Sequence, residues 1–385
     1  MAMTDKRVRG ANGLVILTRN LRLADNRVID AALREYEKIF LCFVINRRQF
    51  TLPITDEYTS GRALAFLAQS LVDLRRVAPV IICEEKDLTE IIEKCQIGTM
   101  FIGDDYSPYA DRRLERYGRL GHIVVVNDLL ITPYALRTYY KFTPFYRKVM
   151  NGGLLDVSIS PAIGREKFHT APVHFEQAEE LLRTVEAVVS AGGQPGGRTA
   201  ALMRLMKFND IEDVPSQLSP YLRFGCISAR EAYAVFGEEK RRQLIWRDFY
   251  FKILKSGYMR QFDTSTSYKN DWPGTQEDFE KWCQCKTPWP VVNAAMNELV
   301  TTGTTDNYMR MILACTLVRE YKCNWKWGEA WFARHLIDYD WAQNAGNWLY
   351  FVEGVAWSMR PGVKFNLAKQ EKEADAQWLA KWQKR

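Results

Sequence analysis

The sequence predicts two parts: an N-terminal α/β domain built on a parallel sheet, and a C-terminal all-helical domain. Two observations carry this. Short apolar runs alternate with helical stretches in the first third of the chain, whereas helical periodicity dominates beyond residue 198. All twelve tryptophans lie at or after Trp246, a composition step that marks two domains with different tasks.

Leu14 to Thr18, Lys38 to Ile45, Val80 to Cys83, Thr99 to Gly103 and His122 to Val126 read as strands. Between the second and third, Ser60 to Arg76 carries Leu64, Leu67, Leu71 and Leu74 on one helical face. Strands alternating with helices imply a parallel sheet covered on both faces. Such sheets bind ligands at the carboxyl ends of their strands, yet neither GxGxxG nor GxxxxGK[ST] is present.

Residues 12–150 therefore form the first domain. Residues 151–198 mix Gly, Pro, Ser and charged residues around an amphipathic stretch, Phe175 to Val189, and read as a connection wrapping a surface. Residues 199–385 form the second domain. Its helices are predicted over Arg230 to Phe236, Lys240 to Leu254, Pro290 to Val300, Tyr308 to Tyr321 and Trp327 to Asp338.

Composition narrows the function. The 385 residues are 47% hydrophobic and 26% charged, which is a globular balance. No run of 18 apolar residues suggests a membrane span, and MAMTDKRVRG lacks the apolar core of a secretory signal. Eight scattered cysteines give no disulfide framework. A cytoplasmic or nuclear, non-secreted protein is expected. Four histidines without ligand spacing point to no metal. The net charge of +7 suits a polyanion such as nucleic acid, and equally a merely basic protein.

Four segments of the helical half could carry chemistry. Ser216-Gln217-Leu218-Ser219-Pro220-Tyr221-Leu222-Arg223-Phe224-Gly225 is either a diphosphate cradle ahead of a helix or an ordinary capped helix. Gln243 to Tyr250, with Trp246 beside Arg247, could stack a base and grip a phosphate, or be a core helix. Thr304 to Met311 and Asp338 to Trp348 read as polar helix ends, open to a pocket or to solvent.

Together these segments resemble the photolyase/cryptochrome superfamily. Thr18 to Asn26 (TRNLRLADN), Asp104 to Tyr109, Tyr140 to Phe145 and Gly196 to Leu202 extend the resemblance, and all eight motifs run in family order. The resemblance implies FAD bound in the helical domain. Ser216, Gln217, Leu218, Ser219 and Arg247 would hold its diphosphate. Arg310 would pair with Asp338, Asp340 would bond the isoalloxazine ring, and Asn344 would sit beside N5. Trp348, Trp325 and Trp282 match an electron relay, in that order from flavin to solvent. Trp246 would stack on a flipped lesion. Gln243, Asn307, Tyr308 and Met311 would line the lesion pocket, and Gln370 would touch DNA. The implied protein is a monomeric, light-driven lyase for cyclobutane pyrimidine dimers in single- or double-stranded UV-damaged DNA. The alternatives are a six-four photoproduct photolyase and a blue-light receptor without repair activity.

Some residues depart from the pattern. Gln243 stands where dimer-repairing relatives usually have Glu, whereas Asp306 and Asn307 stand where six-four relatives carry paired histidines. Phe208 replaces a usual flavin-contacting Tyr, and Val363-Lys364-Phe365-Asn366 lacks an Arg. No folate-binding acid can be matched, so a second, antenna chromophore stays unidentified.

Overall fold

A computed structural model describes residues 11–50, 59–131, 139–189, 194–209, 216–259 and 272–383. Five strands, β1 (Asn12–Leu17), β2 (Ile39–Ile45), β3 (Val80–Glu84), β4 (Ile97–Gly103) and β5 (Ile123–Val126), form one parallel sheet. The order is β3-β2-β1-β4-β5. Each lies within two residues of the range its apolar run predicts. The sheet's centre is buried on both faces, which is why its strands read as continuous apolar runs.

Helices α1 (Arg27–Glu35), α2 (Arg47–Phe50), α3 (Gly61–Arg75), α4 (Leu88–Lys94) and α5 (Pro108–Gly118) accompany the strands. α6 (Phe142–Asn151) and α7 (Glu176–Val189) follow, and α7 packs on α3 and β3. The amphipathic stretch inside the connecting region is thus layered onto the sheet domain, with Ala178, Leu182 and Val185 as its buried face.

The helical half runs through α8 (Arg198–Asn209), α9 (Ser219–Phe224), α10 (Ala229–Val235), α11 (Glu238–Lys255), α12 (Gln276–Cys283), α13 (Pro290–Thr302), α14 (Asn307–Cys315), α15 (Trp325–His335), α16 (Trp341–Leu349), α17 (Leu367–Glu373) and α18 (Ala376–Gln383). One predicted helix is corrected. The stretch Tyr308 to Tyr321 is α14 followed by a π-helical turn, Thr316–Glu320. The Thr316 hydroxyl donates to the Ile312 carbonyl at 2.8 Å, a side-chain competitor at the turn where the α-helical ladder widens. α15 begins at Trp325 because Asn324 caps it, accepting from the Lys326 amide at 3.0 Å.

The halves meet at the carboxyl edge of the sheet. The chain reverses its direction across the sheet between β1 and β4, so the loops after these strands diverge and leave a crevice. The helical half fills it. Phe224 O accepts from the Leu21 amide at 3.2 Å. Gly225 has φ +70°, and a Cβ there would collide with the Arg19 carbonyl, so only glycine permits this approach. Beside it lies a buried charge network. Arg230 donates to Asp25 at 2.7 Å and also to Asp128, which Arg22 reaches at 2.6 Å. Two guanidinium groups and two carboxylates neutralise one another across the two halves.

Candidate flavin site

The helical half holds a cavity, open to solvent, of about 470 Å³ lined by Asn307, Arg310, Met311, Asp338, Asp340, Asn344 and Trp348 among others. α14 contributes the first three. Its first turn is fixed by Asp306, whose carboxylate accepts from the Tyr308 amide at 2.7 Å. Arg310 follows one turn later, with Nη1 and Nη2 each 3.0 Å from an oxygen of Asp338. Its Nε donates to Thr305 O at 3.0 Å, so the guanidinium is satisfied on three sides and its plane is fixed.

α16 supplies the opposite wall. Asp340 is its N-cap, accepting from the Gln343 amide at 3.2 Å. Asn344 and Trp348 lie four residues apart on one face of that helix. The Asn344 amide nitrogen donates to Glu329 O at 3.1 Å and to Glu329 Oε1 at 3.0 Å. Two acceptors fix which end of the amide is nitrogen and leave its oxygen for the cavity. Glu329 also accepts from Tyr339 Oη at 2.8 Å. Neither Glu329 nor Tyr339 is among the predicted site residues. The available signal was a glutamate inside the aromatic stretch Trp325 to Phe332, where a charge has to find partners. Gly328 makes room for Trp348, whose ring would meet any Cβ there.

Asp340 has a second partner. Arg19, in the loop after β1, forms an ion pair with its Oδ2. Arg19 also reaches Asp105, after β4, with Nε at 3.3 Å. Burial alone would raise the Asp105 carboxyl, but Arg19, Arg113 and Arg223 overrule it and hold it near 2. Burial and the nearby Arg19 charge lower the Arg223 guanidinium to about 10. Arg223 donates to Tyr339 O at 2.6 Å, one residue before Asp340.

Other predicted residues lie elsewhere. Arg247 lines a separate cleft, with Thr18, Arg19 and Asp104, at the carboxyl edge of the sheet. Its Nη1 is 3.3 Å from Asp248, and its guanidinium lies over Phe251 at 5.0 Å. Ser216, Gln217, Leu218 and Ser219 are not on the cavity wall. Ser216 accepts from the Leu218 amide at 3.4 Å, Gln217 takes φ +50°, and Leu218 is buried. Residues 210–215, the short stretch before this loop, lie outside the described residues. Phe208 packs edge-on against Phe236.

The tryptophans need one correction. Trp348 and Trp282 are in ring contact at 6.2 Å, but Trp282 is 0% exposed and donates its indole N–H to Leu313 O at 3.1 Å. It is not the solvent end of a relay. Its place between Phe279 and Phe332 encloses it. Trp325 is buried as well, whereas Trp272, ahead of α12, is half-buried.

Among the lesion-pocket residues, only Asn307 and Met311 line the cavity. Gln243 is exposed on α11. The Trp246 ring stacks on Phe142 at 3.6 Å with 8° between planes, so one face is already covered. Tyr308 donates to Gln370 Oε1 at 2.5 Å, which joins α14 to α17 near the cavity mouth.

Comparison with known proteins decides what this arrangement belongs to. Residues 14–162 match the family description "DNA photolyase", and residues 240–383 match "FAD binding domain of DNA photolyase". The chain belongs to the photolyase/cryptochrome superfamily. It is 28% identical to a cryptochrome DASH of Idiomarina loihiensis, covering 96% of this chain and 92% of that one. It is also 28% identical to a deoxyribodipyrimidine photo-lyase of Streptomyces griseus, over 94% and 87% of the two chains. An archaeal photolyase from Sulfolobus tokodaii, solved with two FAD molecules, superposes with a TM-score of 0.81 at 26% identity, over 96% and 90% of the chains.

FAD is the cofactor of this family's helical domain, and the cavity fits it. The Trp348 indole N–H is buried and has no partner among the described residues, on the wall where a flavin acceptor would lie. Arg310, Asp338 and Asn344 would face the polar edge of the ring, and Trp348 would lie against it. No helix of the described residues is long and apolar enough to cross a membrane.

Proposed function

We propose that this protein is a light-driven lyase that splits cyclobutane pyrimidine dimers in UV-damaged DNA. The observation that carries the reading is the shared cavity: Asn307 and Met311 open onto the same space as Asn344 and Trp348. A lesion swung into that space would meet an amide and a thioether at its mouth and the flavin-binding residues at its floor. When bound and reduced, FAD would supply the electron on illumination.

The chain's own residues position and tune. Arg310 and Asp338 hold each other in one plane. Glu329 turns the Asn344 oxygen toward the cavity, an uncharged acceptor for a flavin N–H. Trp348 and Trp325 would pass electrons inward from a half-buried partner such as Trp272. Dimer splitting takes one electron in and returns it, so no positioned acid is required. The chemistry near the cavity agrees with this, because no histidine lines it. His335 points its Nδ1 at Trp331 O, 2.8 Å away. Asp306 is exposed and spent on capping α14, which makes it a poor proton donor for six-four chemistry.

One observation favours a second reading, a light receptor without repair: the Trp246 face meant for a lesion is stacked on Phe142. The deciding experiment is illumination of the FAD-loaded protein, its flavin first reduced with a thiol donor, with single- and double-stranded DNA carrying one defined lesion, with a dark control and product analysis. Restored thymines from dimer DNA are expected. Repair of six-four DNA alone overturns the lesion class, and repair of neither selects the receptor reading.

A further inference from the structure

Arg19 belongs to the sheet domain, yet its head group ends on Asp340, a residue of the flavin cavity. Its backbone is held on both sides. Thr18 N donates to Asn20 Oδ1 at 2.8 Å, and the following Leu21 amide donates to Phe224 O. Gly225 presses against the Arg19 carbonyl. The guanidinium lies over the Phe251 ring at 5.2 Å and divides its donors between Asp105 and Asp340. Arg19 and Asp340 line different cavities, so their ion pair is the wall between the crevice of the sheet and the flavin cavity.

We infer that Arg19 is a positioning residue for the flavin site: by holding Asp340 it fixes the first turn of α16, and hence Asn344 and Trp348, and so couples the flavin site to the sheet domain. The geometry behind this is asymmetric. One Asp340 oxygen caps the Gln343 amide, and the other takes Arg19. Asp340 is only 4% exposed, so water replaces the arginine poorly. Arg223, the next cation, stands 3.9 Å away, already bonded to Tyr339 O. Without Arg19 the carboxylate turns toward Arg223, and that change loosens the cap. This role is independent of which lesion the protein repairs.

The test uses the full chain with and without FAD. Backbone amide exchange across the first turn of α16 is measured on the flavin-free protein, and FAD affinity is measured separately. Arg19→Met keeps an unbranched apolar stem and removes the charge. It is expected to speed exchange at Gln343 and Asn344, and to weaken FAD binding, each by about tenfold, the scale of a lost cap. Asp340→Asn is expected to do the same, and the double variant R19M/D340N to lose little more than D340N alone. Where Arg19→Met does not fold, the comparison of D340N with R19M/D340N still decides, since no unpaired carboxylate remains at position 340. Unchanged exchange in R19M, or losses that add in the double variant, would overturn the inference.

Discussion

Glu329 and Asn344, one turn into neighbouring helices α15 and α16, are joined by two hydrogen bonds from a single amide nitrogen. This pairing dictates which end of Asn344 faces the flavin. An Asn344→Asp substitution removes the donor and sets two carboxylates against each other in a buried place, so one must take a proton. We expect FAD affinity at neutral pH to fall by about tenfold or more, and the reduced cofactor to be harder to hold. Adding Glu329→Gln restores a donor between the helices and should recover part of the affinity. Absorbance titration with FAD checks both steps.

The relay is tested by three single substitutions. Trp348→Phe keeps an aromatic body but removes the oxidisable indole, and should stop photoreduction with a thiol donor. Trp272→Phe should slow it, because a half-buried indole can exchange electrons with solvent. Trp282→Phe should leave the rate within about twofold, once flavin content is matched. If Trp282→Phe alone abolishes photoreduction, the ring in contact with Trp348 lies on the route despite its burial.

Phe142 and Trp246 offer a separate test of the lesion pocket. If Trp246 receives a base, Phe142 must move aside, and Trp246→Ala should cost about 1–3 kcal/mol in binding lesion DNA. If the stack is only structural, Trp246→Ala should lower the melting temperature without changing the discrimination between damaged and intact DNA. Equilibrium binding at fixed salt separates the two, since phosphate contacts weaken with salt for either DNA.

Asp248 predicts a pH effect on stability. Desolvation by burial raises its carboxyl from the ordinary carboxylate range to about 6. The folded state therefore disfavours the charged form. The cost is fully present above about pH 6 and fades as the pH falls from there toward about 4, because the folded chain then binds the proton first. Asp248→Asn can still accept from the Ile131 amide, now 3.0 Å away. It should stabilise the protein near neutral pH by about 1–3 kcal/mol and flatten the pH dependence of Tm in that window. Thermal melts across the range check this, and a destabilised variant would mean the carboxylate is needed charged.

The strands were legible because burial on both faces leaves an unbroken apolar run with turn residues at its ends. Five helical stretches of the second half were legible from periodicity, but the π-turn at Thr316 was not, since a hydroxyl competing for a carbonyl leaves no trace in apolar spacing. Arg310, Asp338 and Asn344 came together as the family register implied. Glu329 and Arg19 escaped notice for a common reason. Their importance comes from their partners, Arg19 with Asp340 across 321 positions and Glu329 with Asn344 on the next helix, 15 positions on, and one sequence does not name such partners. Trp282 was misplaced because register names a tryptophan without telling how deep it lies.

The charge network across the two halves has a consequence for synthesis. Arg22, Asp25 and Asp128 leave the ribosome well before Arg230 and Gly225 exist. The sheet can form early from its own strands, but the seat at its carboxyl edge holds Asp25, whose guanidinium partner Arg230 has yet to be translated. The first domain is therefore finished by the second, and chains that stall before residue 225 present an open, charged edge to the cell's chaperones and proteases.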